Sequence, residues 1–255
     1  MNTLAPKLVL TPLLVASASL AGRRWGAALS GWLVALPLTS GPIAFFIAIE
    51  AGRDVAVQAA GGSVLGAVAQ VAFAAVYTVA SRRVGWLASL LVAALAFGVV
   101  GFAVPPMPPG VTYALLIAAV AAFLVTSHPQ PAEAVEPTDP PAWDIPARVL
   151  VATVLVVAIS GIAPIVGGRV SGILATFPVY AAVLATFGHL TRGADEATAI
   201  LRGLATGLLG LGAFFLALGW LLGSVGIGFS FVLALAVGFA AQAATLPLLR
   251  VSTAS

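Results

Sequence analysis

The chain has 255 residues, of which 61% are hydrophobic and only 7% are charged, and its mean hydropathy is +1.14. A soluble domain carries about 25% charged residues, so this composition excludes a soluble protein and indicates an all-α polytopic membrane protein. Cysteine is absent, which excludes a disulfide framework and a cysteine metal site. The net charge of +3 is interpreted as a topology signal, and we expect no nucleic-acid partner.

The apolar runs are continuous, which predicts helices because the bilayer core offers no water to free backbone groups. About 20 apolar residues span that core, and on this basis we predict about nine transmembrane helices. The predicted spans cover residues 5–22, 26–49, 56–80, 84–104, 110–126, 147–164, 168–190, 197–221 and 225–247. The end of the first span, LVASASLAG, also resembles a signal-peptide cleavage region. We interpret it as a retained helix because it matches the start of the repeat described next.

Residues 30–66 recur at residues 171–207 with a constant offset of 141 and no gap, and Pro37, for example, matches Pro178. The offset relates spans 1–4 to spans 6–9 and leaves span 5 without a counterpart. Because the chain crosses the membrane five times before the second copy begins, the second copy starts on the opposite face of the membrane from the first. The fold class predicted is therefore two inverted four-helix repeats plus one linking helix, an organisation typical of transporters.

Three segments follow from the repeat: residues 1–126 hold repeat one and span 5, residues 127–146 form a linker rich in proline and acidic residues, and residues 147–255 hold repeat two. Eight of the eleven Lys and Arg residues fall on one predicted face, namely Arg23, Arg24, Arg82, Arg83, Arg148, Arg192, Arg202 and Arg250. The positive-inside rule places that face in the cytoplasm. We therefore expect an integral protein of the bacterial inner membrane, with the N-terminus outside and with the linker and C-terminus cytoplasmic.

This orientation predicts the reactivity of a single cysteine introduced as Val135→Cys in the otherwise cysteine-free chain. A membrane-impermeant thiol reagent should label it only from the cytoplasmic side, since the linker lies there. Labelling is compared between intact cells and inverted vesicles. Labelling of intact cells alone would reverse the predicted orientation.

Two prolines at matching positions, Pro37 and Pro178, lie in the middle of spans 2 and 7. Proline lacks an N–H group and clashes with the preceding turn, so each is expected to free a backbone carbonyl. The TSGP sequence after Pro37 predicts a real interruption, whereas the second copy is expected only to bend. Interrupted helices at matching positions indicate a transporter's binding site. The predicted solute-binding residues are Pro37, Thr39, Ser40, Gly41, Thr176, Pro178 and Tyr180.

Glycines and acidic residues recur in the loops and long spans of both copies. Gly52 and Gly193 are expected to adopt a left-handed conformation after a helix end, and Asp54 and Asp195 to cap the next helix. The GxxxG pairs Gly62/Gly66 and Gly203/Gly207 predict close helix packing within the bundle. A homodimer contact through these glycines is the alternative.

No Asp or Glu lies in the middle of a predicted span, and there is no His cluster and no carboxylate pair. We therefore predict no enzyme, no catalytic residue, no cofactor and no metal site. The leading hypothesis is a small secondary transporter or facilitator that moves a neutral or amphipathic solute by alternating access around spans 2 and 7, with membrane lipid as its surroundings. The alternatives are a lipid flippase or scramblase and a non-transporting membrane subunit.

Overall fold

The computed structural model describes residues 4–38, 40–127, 141, 143–162 and 176–251, and these residues contain helices and no strands. The helices are α1 (Leu4–Trp25), α2 (Ala27–Val34), α3 (Ser40–Glu50), α4 (Arg53–Ser81), α5 (Trp86–Ala103), α6 (Pro109–Thr126), α7 (Asp144–Ile162), α8 (Val179–Arg192), α9 (Ala194–Leu221), α10 (Ile227–Ala244) and α11 (Leu246–Val251).

Five of these helices are long and apolar enough to cross a membrane, namely α4, α5, α6, α9 and a stretch over Ile227–Leu249 that joins α10 to α11. The prediction of an all-helical membrane protein is thus confirmed in its coarse form. The count of nine spans stays a prediction. Most of the linker at 127–146 and the first part of the seventh predicted span lie outside the described residues.

The centre of the bundle is formed by α4 and α9, which contact each other. The most apolar stretches of α4 and α9 are 56% and 67% buried, whereas the corresponding stretches of α5, α6 and α10 are between 17% and 22% buried. The outer helices therefore turn apolar side chains outward; Leu95 and Val125, for example, are exposed. In a chain of this composition such exposed apolar faces suit contact with lipid.

The helix bounds and contacts follow the 141-residue offset. Helices α5 and α10 begin and end at residues that differ by this offset, and α4 and α9 begin at such residues. The contact of α4 with α5 has a counterpart in α9 with α10, and that of α5 with α8 has one in α3 with α10. These relations suit a duplicated unit. The inverted orientation of the two copies stays a prediction.

The close packing predicted for the GxxxG glycines occurs within the chain at Gly66, Gly203 and Gly207, but not at Gly62, which is exposed and where a Cβ atom would have nothing within 4 Å. A Cβ atom at Gly203 would overlap the carbonyl oxygen of Ala28 in α2, and one at Gly207 would lie 2.6 Å from the Cβ of Ala35. In the first copy, a Cβ atom at Gly66 would lie 2.6 Å from the Cβ of Thr176. Small residues thus let α2 and the segment before α8 approach the two central helices closely.

Candidate functional site

The first interruption lies between α2 and α3, around the buried Pro37. The N–H of Leu38 donates to the carbonyl of Leu36 at 2.8 Å, and the N–H of Gly41 donates to the carbonyl of Pro37 at 2.9 Å. The carbonyl of Trp32, one turn earlier, accepts a hydrogen bond from Gln242 Nε2 at 2.8 Å. The predicted interruption is confirmed, and a glutamine from α10 bonds a carbonyl next to it.

The second interruption lies before α8, and the expectation of a mere bend at this copy is wrong. Helix α8 begins only at Val179, after the non-helical residues 176–178. The N–H of Val179 donates to the carbonyl of Phe177 at 2.8 Å, and the N–H of Ala182 donates to that of Pro178, also at 2.8 Å. Each bond is the 141-residue counterpart of a bond in the first interruption. The same proline therefore produces the same local backbone in both copies.

The carbonyl of Thr176 accepts a hydrogen bond from Gln70 Nε2 at 3.1 Å. A side-chain amide thus bonds a carbonyl at or next to each interruption, with Gln242 one turn before the first and Gln70 at the second. Neither glutamine was among the site residues predicted from the sequence. A side-chain amide within an apolar span was the available signal, because such a group must find a hydrogen-bond partner in hydrocarbon.

Each interruption packs against the central helix of the opposite half of the chain. Gly41 faces Phe214 of α9, because a Cβ atom added at Gly41 would lie 3.7 Å from the phenylalanine ring. Ala35 faces Gly207 of the same helix. Thr176, before α8, lies against Gly66 of α4. The two halves therefore interlock through their interruptions.

The predicted site residues do not share one environment in the structure. Pro37, Gly41 and Pro178 are buried, whereas Ser40, Thr176 and Tyr180 are half-buried. Tyr180 turns towards α1, where its hydroxyl lies 3.1 Å from Thr11 Oγ1. Thr39 lies outside the described residues. That these side chains form one binding site stays a prediction.

Two cavities lie at the end of the bundle where α1 stops. The larger, of about 510 Å³, is an open depression lined by α1 residues from Ser17 to Trp25. The smaller, of about 20 Å³, is lined by charged and small side chains of α1, α2, α7, α8 and α9. Neither of these two cavities includes a residue of the interruptions. The packing at the interruptions is tight where it is described.

The charged residues around the smaller cavity include Asp144, which the sequence analysis placed in the cytoplasmic linker. The structure makes it the first residue of α7, with its side chain 1% exposed. It pairs with Arg23 at 3.0 Å and with Arg148 at 2.9 Å. The spacing of Asp144 and Arg148 by four residues was a usable signal, whereas the contact with Arg23 is visible only in the fold.

Arg23 and Arg148 share this cavity with Arg192, and all three had been assigned to the predicted cytoplasmic face. The ends of α1, α7, α8 and α9 that carry the cluster therefore meet at one end of the bundle. The structure brings three of the eight assigned cations together, and the side of the membrane on which they lie stays a prediction.

Two other ionisable side chains near the ends of spans, Arg202 and His189, have structural partners. Arg202 of α9 donates from Nη1 to the carbonyls of Leu124 and Ser127 at 2.7 Å each, where α6 ends. A guanidinium there satisfies carbonyls that the helix leaves unpaired and complements its dipole. His189 lies 3.4 Å from the hydroxyl of the buried Tyr77. Both side chains connect neighbouring helices.

The capping prediction for the loops is partly wrong. Gly52 and Gly193 do have positive φ angles, of 93° and 90°, but their ψ angles of 166° and −176° place them in an extended region open to glycine alone. They are themselves the N-cap residues, and neither cap has a side-chain hydrogen bond. Asp54 and Asp195 lie in the first turns of α4 and α9 and do not cap them. A carboxylate in this position interacts favourably with the helix dipole.

Among the described residues, no group of three or more His, Cys, Asp or Glu side chains is arranged to hold a metal ion. Comparison of the chain with protein-family models, with curated proteins and with solved structures finds no match. The functional inference therefore relies on the residues and geometry of this chain alone.

Proposed function

We propose that the chain is a small membrane transporter or facilitator for a neutral or amphipathic solute, working by alternating access between its two halves. The observation that carries this proposal is the pair of interruptions with matching hydrogen bonds at Pro37 and Pro178. Interrupted backbone inside a membrane persists only where it is buried in protein or lines a cavity. Matching interruptions in two repeats are a typical feature of transporter binding sites.

The contacts between the halves support a reciprocal movement. The first interruption packs on α9 of the second half, and the second interruption packs on α4 of the first half. A rocking of one half against the other must change both contacts together. If the repeats are inverted, loosening one contact opens the site towards one face, and loosening the other opens it towards the opposite face.

The polar groups near the interruptions favour a solute without strong charge. They are the hydroxyl of Ser40, the hydroxyl of Thr176 and the amides of Gln70 and Gln242. Gln242 Oε1 is buried and has no hydrogen-bond partner among the described residues. It is an acceptor for a solute N–H or O–H group once the contact between α2 and α10 loosens.

A reversible cross-link between the halves tests this proposal. A Cβ atom at Gly219 of α9 would lie 3.8 Å from the Cβ of Ala60 in α4, close to the mean Cβ separation in disulfides of about 3.8 Å. Ala60→Cys with Gly219→Cys should form a disulfide in this cysteine-free chain. Flux of glycerol, urea and alanine into proteoliposomes is measured by light scattering. We expect this flux to stop when the disulfide is formed by oxidation and to return when it is reduced.

Each single-cysteine variant provides a matched control, since it is exposed to the same oxidant and cannot close the bridge. Flux that persists in the oxidised double variant would contradict rocking about α4 and α9. Dithionite quenching of a fluorescent phospholipid in the same vesicles identifies a scramblase. A chain that moves neither solutes nor lipid faster than empty vesicles do would favour the subunit alternative.

A further inference from the structure

The smaller cavity lies among charged side chains where four long helices end. It is lined by Ser19 and Arg23 of α1, Asp144 and Arg148 of α7, Arg192 of α8 and Glu196 of α9, together with small and apolar residues. Its volume is about 20 Å³, and about 10–15 Å³ is enough to hold one water molecule. The space thus suits a single water or a monatomic ion.

The lining carries more positive than negative charge. Three arginines face two carboxylates, so the formal charge of the lining is positive by one unit. Asp144 is shared by Arg23 and Arg148, and Glu196 pairs with Arg192 at 3.2 Å. One arginine charge is therefore left without a carboxylate of its own beside the buried Asp144 and Arg148, and an anion in the cavity would balance it.

A buried hydroxyl in the same lining has no partner. Ser19 is 5% exposed, and its Oγ atom has no hydrogen-bond partner among the described residues. The neighbouring Ser30 differs, because its hydroxyl donates to the carbonyl of Ala27 at 2.6 Å. An unmade hydrogen bond at a buried hydroxyl is unfavourable, and an acceptor in the cavity would satisfy it.

We propose that this cavity binds a small monovalent anion of the size of chloride. The hydroxyl of Ser19 donates to the anion, and the excess arginine charge balances it. Ser19 and Arg23 belong to the first half of the chain, whereas Asp144, Arg148, Arg192 and Glu196 belong to the second. The bound anion therefore stabilises the contact between the halves at this end, and this role does not depend on the solute that the protein carries.

The test is the thermal unfolding of the purified full-length protein in detergent, with sodium chloride replacing sodium gluconate at constant ionic strength. Tryptophan fluorescence reports unfolding, since the chain has five tryptophans. We expect a saturable rise of the midpoint temperature with chloride, because a ligand that binds the folded state stabilises it. Bromide should act in the same way, and gluconate should not.

Charge variants of the lining should change the apparent chloride dissociation constant in opposite directions. Glu196→Gln raises the formal charge of the lining by one unit and should tighten chloride binding by about threefold, whereas Arg192→Gln removes the excess and should weaken it by a similar factor. Both side chains are partly exposed, so neither substitution should prevent folding.

The hydroxyl is tested by Ser19→Ala, which should weaken chloride binding by about tenfold because a hydrogen bond to an ion is lost. Ser17→Ala is the matched control, since Ser17 is an exposed residue of the same helix, and it should leave chloride binding unchanged. A midpoint that does not depend on the anion would show that the cavity holds water only. Equal effects of the two charge variants would also overturn the proposal.

Discussion

Gly203→Ala should severely destabilise the protein, because the added methyl group would overlap the carbonyl oxygen of Ala28. The obstacle is backbone of a neighbouring helix, which cannot rotate away as a flexible side chain can. Over-packing commonly costs about 1–3 kcal/mol and occasionally more. We expect a loss at the upper end of this range, because α2 must move as a whole. Thermal unfolding in detergent and the monodisperse fraction after purification measure the effect.

The control for this prediction is Gly98→Ala in α5. A Cβ atom there has nothing within 4 Å, and alanine is favoured over glycine inside a helix by about 0.5–1 kcal/mol. The two glycine-to-alanine changes should therefore have opposite signs. Similar unfolding temperatures for both variants would show that α2 does not lie against α9 as described.

Asp144→Asn should cost about 3–5 kcal/mol of stability, because it removes the buried partner of two arginines. The carboxylate is 1% exposed and accepts hydrogen bonds from Arg23 Nη2 and Arg148 Nε. Asparagine keeps the size of the side chain and removes its negative charge, so the loss reports electrostatics rather than packing. Unfolding by titration with sodium dodecyl sulfate, in gluconate buffer, measures the free energy of unfolding.

Glu196→Gln in the same buffer is the comparison, because it breaks an ion pair of the same cluster whose side chains are 37% and 24% exposed. Exposed pairs contribute about 0–1 kcal/mol, so this variant should remain close to the parent protein. If Asp144→Asn were as mild as Glu196→Gln, the ion pairs of the buried Asp144 would contribute little to stability, and its pair with Arg23 would not be a contact that holds α1 to α7.

Much of the helical organisation was predictable from residues alone. Continuous apolar runs must be helical in a bilayer, and the predicted limits of α5 and α6 agree with the structure within a few residues. The interruption at Pro37 was predictable because proline removes a backbone donor. The matching interruption at Pro178 was underestimated. The expectation relied on a second proline and a glycine, which the first copy has and the second lacks, whereas the two copies have the same backbone hydrogen bonds.

The candidate site was less predictable, because its partners are distant in the chain. Gln242 bonds Trp32 across 210 residues, and Gln70 bonds Thr176 across 106. A hydroxyl near a proline indicates a polar site, yet its direction depends on the packing of the neighbouring helices. Tyr180 illustrates this, because its hydroxyl lies near Thr11 of α1.

Composition, the 141-residue period and the missing N–H group of proline are local properties of the chain, so the apolar helical class, the repeated segment and the two prolines could be recognised from residues alone. The burial of Asp144 between two arginines and the packing of each interruption against the opposite half are properties of the folded bundle. They could not be predicted because burial and pairing depend on which helices meet. A carboxylate at the end of a linker is solvated in an extended chain, and it becomes a buried ion-pair partner only when α1 and α7 pack side by side.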